Sequence, residues 1–114
     1  MLSLFSHSPP REVEVTCYYP VEEQTNSEYW ITASNKEIDT LDPLSHRWIA
    51  VSRNLEEHGF VFGAKVEVSG TDIYDGVWTV QDRMNKRWVD KIDLLIGEDD
   101  QIGRWDNVEI TLIN

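Results

Sequence analysis

Basic residues are scarce in this chain. Ten Lys and Arg stand against twenty-one Asp and Glu, a formal net charge of -11. Such a balance excludes nucleic acid as a natural partner, because phosphate backbones are held by Lys and Arg. It equally disfavours anionic membrane surfaces. Cysteine is nearly absent: Cys17 stands alone, so neither an internal disulfide nor a thiolate metal site can form. Long apolar runs are missing too, so no membrane span is expected. His7, His46 and His58 have no ligand spacing to one another or to a carboxylate pair, and neither metal nor cofactor is expected.

What the chain does have is short, aromatic-rich apolar segments. Hydrophobic residues make up 40% of 114, including five Trp, four Tyr and three Phe, enough for one compact core. Residues 1–11, with Ser-His-Ser-Pro-Pro, read as a loose tail, and 12–114 as one domain. Strands are expected over 12–19, 29–33, 47–52, 64–70, 76–82, 92–96 and 107–113, with a polar loop at 21–28. One or two helical turns fit 53–58 and 98–105. Many short strands with almost no helix predict an all-β fold, a small six- or seven-stranded barrel or sandwich.

Two aspartates stand out. Asp82 ends Val77-Trp78-Thr79-Val80-Gln81, and Asp93 lies inside Lys91-Ile92-Asp93-Leu94-Leu95, eleven residues on. A carboxylate among apolar strand residues is costly unless paired or hydrogen-bonded, and its pKa tends to rise, which suits a general acid. The alternative role is structural, accepting backbone N–H bonds within the fold. Residues 83–88, Arg83-Met84-Asn85-Lys86-Arg87-Trp88, form the one basic patch. Trp88 there can stack on a sugar ring and the cations can meet carboxylates, or the loop is simply solvated with its Trp pinned to the domain. Trp30, Trp48, Trp78 and Trp105 read as packing residues. Asp72, Asp75, Asp99 and Asp100 read as turn residues, Asp90 as a solvated loop residue, and Cys17 as a small buried thiol.

Taken in order, Thr16-Cys17-Tyr18-Tyr19, Ile31-Thr32-Ala33-Ser34, Ile49-Ala50-Val51-Ser52, Phe62-Gly63-Ala64-Lys65-Val66, Val80-Gln81-Asp82, Lys91-Ile92-Asp93-Leu94 and Gly103 resemble the "3D" family. This is a double-psi β-barrel group related to MltA-type lytic transglycosylases and, more distantly, to rare lipoprotein A and expansin-like barrels. The chain departs from it at Ser52, where the family's first aspartate falls, and at Arg83-Met84-Asn85, where the family has Thr-Gly-Gly. The resemblance implies a double-psi barrel acting on peptidoglycan glycan strands. It implies Asp93 as the single acid, Asp82 as its neighbour meeting it in one groove, and 1,6-anhydro-muramyl products. Thr32 falls where the family places a hydroxyl near the acid. With Asn85, Arg87 and Trp88 it makes the expected substrate-binding set. A non-catalytic glycan-binding or interaction barrel is the alternative, consistent with the missing first aspartate. Met1-Leu2-Ser3-Leu4-Phe5 lacks the length and basic flank of a signal peptide. The expectation is therefore a cell-envelope or secreted protein whose export signal has been removed, or a phage-borne or effector domain. Oligomeric state is left open.

Overall fold

The computed structural model describes residues 9–21 and 28–113. His7, most of the expected tail and most of the polar loop at 21–28 lie outside the described residues. Six strands close into a barrel: β1 (Arg11–Tyr18), β2 (Trp48–Val51), β3 (Lys65–Ser69), β4 (Gly76–Arg83), β5 (Lys91–Leu95) and β6 (Trp105–Ile113). Around the barrel they run β1-β5-β2-β4-β3-β6. The fold is all-β, as expected, and of the six or seven strands expected six form the barrel. No helix among the described residues is long and apolar enough to cross a membrane.

Alternation decides which side of each strand faces inward. In β3, Val66 and Val68 are buried while Lys65, Glu67 and Ser69 are exposed, the period-two pattern of a half-buried strand. In β1, Val13 and Val15 enter the core; in β5, Ile92 and Leu94; in β2, Ile49 and Val51. Their chain neighbours Thr16, Asp93 and Ala50 therefore face away from the core. β4 and β5 lack clean alternation because both faces are covered over part of their length. Trp78 is fully buried; its indole donates to the Tyr74 carbonyl at 2.9 Å, and the Arg47 guanidinium stacks over it at 4.1 Å.

Two of the six pairings are parallel, β1 with β5 and β2 with β4. Parallel neighbours need crossover connections. The connection from β1 to β2 is the long one, and it builds one wall of the site. A strand is expected at Tyr29–Ala33; only the single bridge Ile31–Glu37 forms. Asn35 takes a left-handed turn (φ 70°), so the segment reverses after a few residues and makes a short hairpin instead. Thr32 N–H donates to the Lys36 carbonyl and Ile38 N–H to the Trp30 carbonyl. The packing role expected of Trp30 does not hold: it is exposed, edge-on to Tyr29.

The helical turn expected at 53–58 is present as one turn, α1 (Arg53–Glu56). The turn expected at 98–105 is not helical. A single turn forms, the Asp100 N–H donating to the Gly97 carbonyl at 3.0 Å and the Asp100 carboxylate accepting the Gly97 N–H at 2.7 Å, and the chain then extends into β6.

Candidate functional site

Asp93 and Asp82 belong to strands that flank β2, and both are in register with Ala50. On the other side Asp93 is in register with Thr16 of β1. A single row thus crosses four strands: Thr16, Asp93, Ala50, Asp82. Paired residues point to the same side of a sheet, here away from the core. With strands ~4.8 Å apart, the two aspartate backbones lie about 10 Å from each other, and the methyl of Ala50 leaves the space between them open. A bulge at Ile49/Ala50, opposite Val80 and Asp82, re-aims the end of β4 so that Asp82 joins this row.

Each carboxylate has its own donors. Thr16 Oγ1 donates to Asp93 Oδ1 at 2.7 Å. Asp82 accepts three bonds: Oδ1 from the Ala33 N–H at 3.0 Å and the Arg83 N–H at 2.9 Å, and Oδ2 from the Tyr18 hydroxyl at 3.2 Å. Burial pushes the Asp93 pKa up; the Thr16 hydroxyl and the Lys91 ammonium oppose this, and the charge of Asp82 adds a smaller upward push. The result lies above the ordinary aspartate value, and burial rather than the second carboxylate is the principal cause. Burial, the charges of Asp82 and Asp93, and the bond to Asp82 hold the Tyr18 phenol well above its ordinary value, so it remains a donor.

Tyr18, Asp82 and Asp93 line one cleft of about 650 Å³, walled by the 28–35 hairpin, the end of β4, the 84–88 loop and Arg53 of α1. The hairpin is pinned to β4: Ser34 Oγ donates to Gln81 Oε1 at 2.7 Å, and the Ser34 N–H to the Gln81 carbonyl at 3.2 Å. Of the residues singled out from sequence, Asp82, Asp93, Thr32, Asn85 and Trp88 line this cleft. The Thr32 hydroxyl is already engaged, with Ser34 Oγ at 2.9 Å and the Lys36 N–H at 3.0 Å, so it holds the hairpin turn. Asn85 accepts the Arg87 N–H at 3.0 Å. Arg87 is not among the lining residues; its guanidinium lies 4.7 Å over the Trp88 ring, and the Lys91 ammonium lies 3.7 Å from the same ring.

Tyr18 and Thr16 are the residues that sequence reading passed over. Their signal is faint but present: two hydroxyls two positions apart on the outward side of a strand whose alternate positions, Val13 and Val15, are core. Ser52, at the place of the absent aspartate, is fully buried. It accepts the Lys91 N–H at 3.0 Å, donates to Asn54 at 2.8 Å, and gives its own N–H to the Lys91 carbonyl. It fastens the end of β2 to β5. Asp90 is an exposed loop residue, as expected, and shares two hydrogen bonds with Asn54, 2.7 and 3.0 Å.

Elsewhere the smaller expectations divide. His46 accepts the Asp39 N–H at 2.8 Å and stacks on Trp48. Cys17 is half-buried, its thiol pushed up to about 11 by burial. Asp75 accepts three bonds from Gly70 and Thr71 in the β3–β4 turn. Among the described residues no cluster of His, Cys, Asp or Glu could hold a metal ion. No family model matches the chain, and no curated protein matches it.

Proposed function

We propose that the cleft binds a glycan strand of the bacterial cell wall and cleaves it with Asp93 as the single general acid. The observation that carries this reading is the contrast between the two carboxyl groups. Among the described residues Asp93 has one hydrogen-bond donor, and burial raises its pKa and so favours its protonated form in the cleft. Asp82 has both oxygens occupied by three donors. With two donors on Oδ1 and one on Oδ2, about one of the four acceptor positions of Asp82 remains for a water, which favours a reaction that uses no catalytic water.

In that reaction Asp93 gives its proton to the oxygen between N-acetylmuramate and N-acetylglucosamine. The muramate 6-hydroxyl closes on C1 as the bond to the leaving sugar breaks. The Asp93 carboxylate then takes the proton released by that hydroxyl, and the acid is restored. The products are a 1,6-anhydro-muramyl end and a free N-acetylglucosamine hydroxyl. Asp82, held rigidly across Ala50, provides negative charge near the cationic sugar that forms. The motif resemblance supports the choice of peptidoglycan among glycans, and the polar, open cleft is of a size to take sugar rings.

Incubation with purified peptidoglycan followed by mass spectrometry of the fragments tests this directly. Wild type should release anhydro-muropeptides, Asp93→Asn none, and Asp82→Asn a reduced amount. Reducing ends without anhydro ends would replace the transglycosylase reading by hydrolysis. Glycan binding by wild type and Asp93→Asn alike, with no new ends from either, would establish the non-catalytic binding barrel instead.

A further inference from the structure

We propose that Arg53 is the specificity residue of the cleft and reads a carboxylate carried by the glycan. This rests on the glycan reading above and names the feature of the substrate that the site selects. Two cations line the cleft, Arg53 and Arg83. Arg83 is committed, its Nε 2.8 Å from Glu56. Arg53 makes no ion pair among the described residues. Its Nε donates to the Met84 carbonyl at 3.3 Å, which fixes the plane of the guanidinium beside the 84–88 loop and leaves both terminal nitrogens for another acceptor. That fork matches a carboxylate, which it can hold through two parallel bonds.

The cations of the 83–88 loop cannot take this role as placed. Arg83 belongs to Glu56, and neither Lys86 nor Arg87 lines the cleft, Arg87 lying over Trp88 instead. The position of Arg53 follows from the fold. It comes directly after Ser52, whose two backbone-fastening bonds to Lys91 lock the end of β2 against β5. Ala50, three residues earlier, sits between the two aspartates. An extended chain advances ~3.3 Å per residue, so the Arg53 backbone stands about 10 Å from Ala50 and, one strand spacing across, about 11 Å from the acid, a gap that its side chain and a substituent on the same or the next sugar can span. On strands without a peptide stem the lactyl group of muramate supplies a carboxylate of this kind, on stem-bearing strands the peptide's own carboxylates do, and a chitin-type glycan with the same backbone has neither.

Calorimetric titration of the Asp93→Asn protein, which keeps the cleft without turnover, separates these ligands. The probes are a tetrasaccharide of alternating N-acetylglucosamine and N-acetylmuramate with free lactyl acids, and N-acetylchitotetraose. The acidic tetrasaccharide should bind about tenfold more tightly, the scale of one charge-assisted contact. Adding Arg53→Gln should remove that preference while leaving chitotetraose affinity unchanged, and Arg53→Lys should restore part of it. Circular dichroism should show all three proteins equally folded, since Arg53 is exposed. A preference that survives Arg53→Gln, or an equal loss for both glycans, overturns the assignment while glycan cleavage stands. Absence of binding by either glycan overturns both.

Discussion

At the scale of single residues, the unequal treatment of two aspartates has thermodynamic consequences. Asp93 has a folded pKa above its ordinary value. Such a group favours the folded state below the unfolded pKa, and that contribution fades as pH rises through the folded pKa. Asp93→Asn removes the titration and keeps an acceptor for Thr16. The variant should therefore gain stability over wild type as pH rises. Thermal melts at about pH 3 and about pH 7, either side of the aspartate range, measure this. A difference between the two proteins that does not change with pH would mean that Asp93 is not perturbed. Tyr18→Phe tests the other carboxylate. It removes one of three donors to Asp82 and should cost about 1 kcal/mol of stability in urea unfolding. It should also lower glycan cleavage, because Asp82 loses a restraint on its orientation. Unchanged stability and unchanged cleavage would dismiss the contact.

At the scale of elements, the end of β2 is where the chain departs most from the motif it resembles. Ser52→Ala leaves the buried Lys91 N–H without its acceptor, which should cost about 1–3 kcal/mol. Ser52→Asp should destabilise further, since it places a charge where no exposure remains. Chemical denaturation of the three proteins ranks them; a more stable Ser52→Asp would refute the fastening role.

The same region shows what a sequence can and cannot tell. The strands were legible where polar and apolar residues alternate, as in Val66 and Val68 or Ile110 and Leu112, because period two leaves a direct mark. Segment 29–33 was misread because its β-rich composition resembles a strand, while the left-handed Asn35 that turns it back is set by the hairpin as a whole. Asp82 and Asp93 stood out because charge within apolar strands is costly. Their separation by Ala50 depends on an antiparallel and a parallel pairing together, and no local pattern records that. Arg53 was invisible and Tyr18 only faintly marked for the same reason: each reaches the cleft from an element far away in sequence, and neither type is unusual where it stands.

At the scale of the whole molecule, the barrel is held by contacts between distant parts of the chain. β1 pairs with β5 and β6, and β3 with β6. Closure must wait for the last strand, so folding should be slow for a chain of this length, in the millisecond-to-second range by stopped-flow fluorescence of its tryptophans. Trp78→Ala, at the centre of the core, should cost about 3–5 kcal/mol. The pairing of β1 with β6 carries one more consequence. Arg11, where β1 starts, is opposite Ile110, near where β6 finishes, so these two points of the chain lie side by side at one end of the barrel. The order in which the strands are synthesised is thus separable from the order in which they pair. A circular permutant that joins position 113 to position 9 through a few glycines and opens at Leu41, a fully exposed loop tip, should rebuild the same cleft from a differently ordered chain.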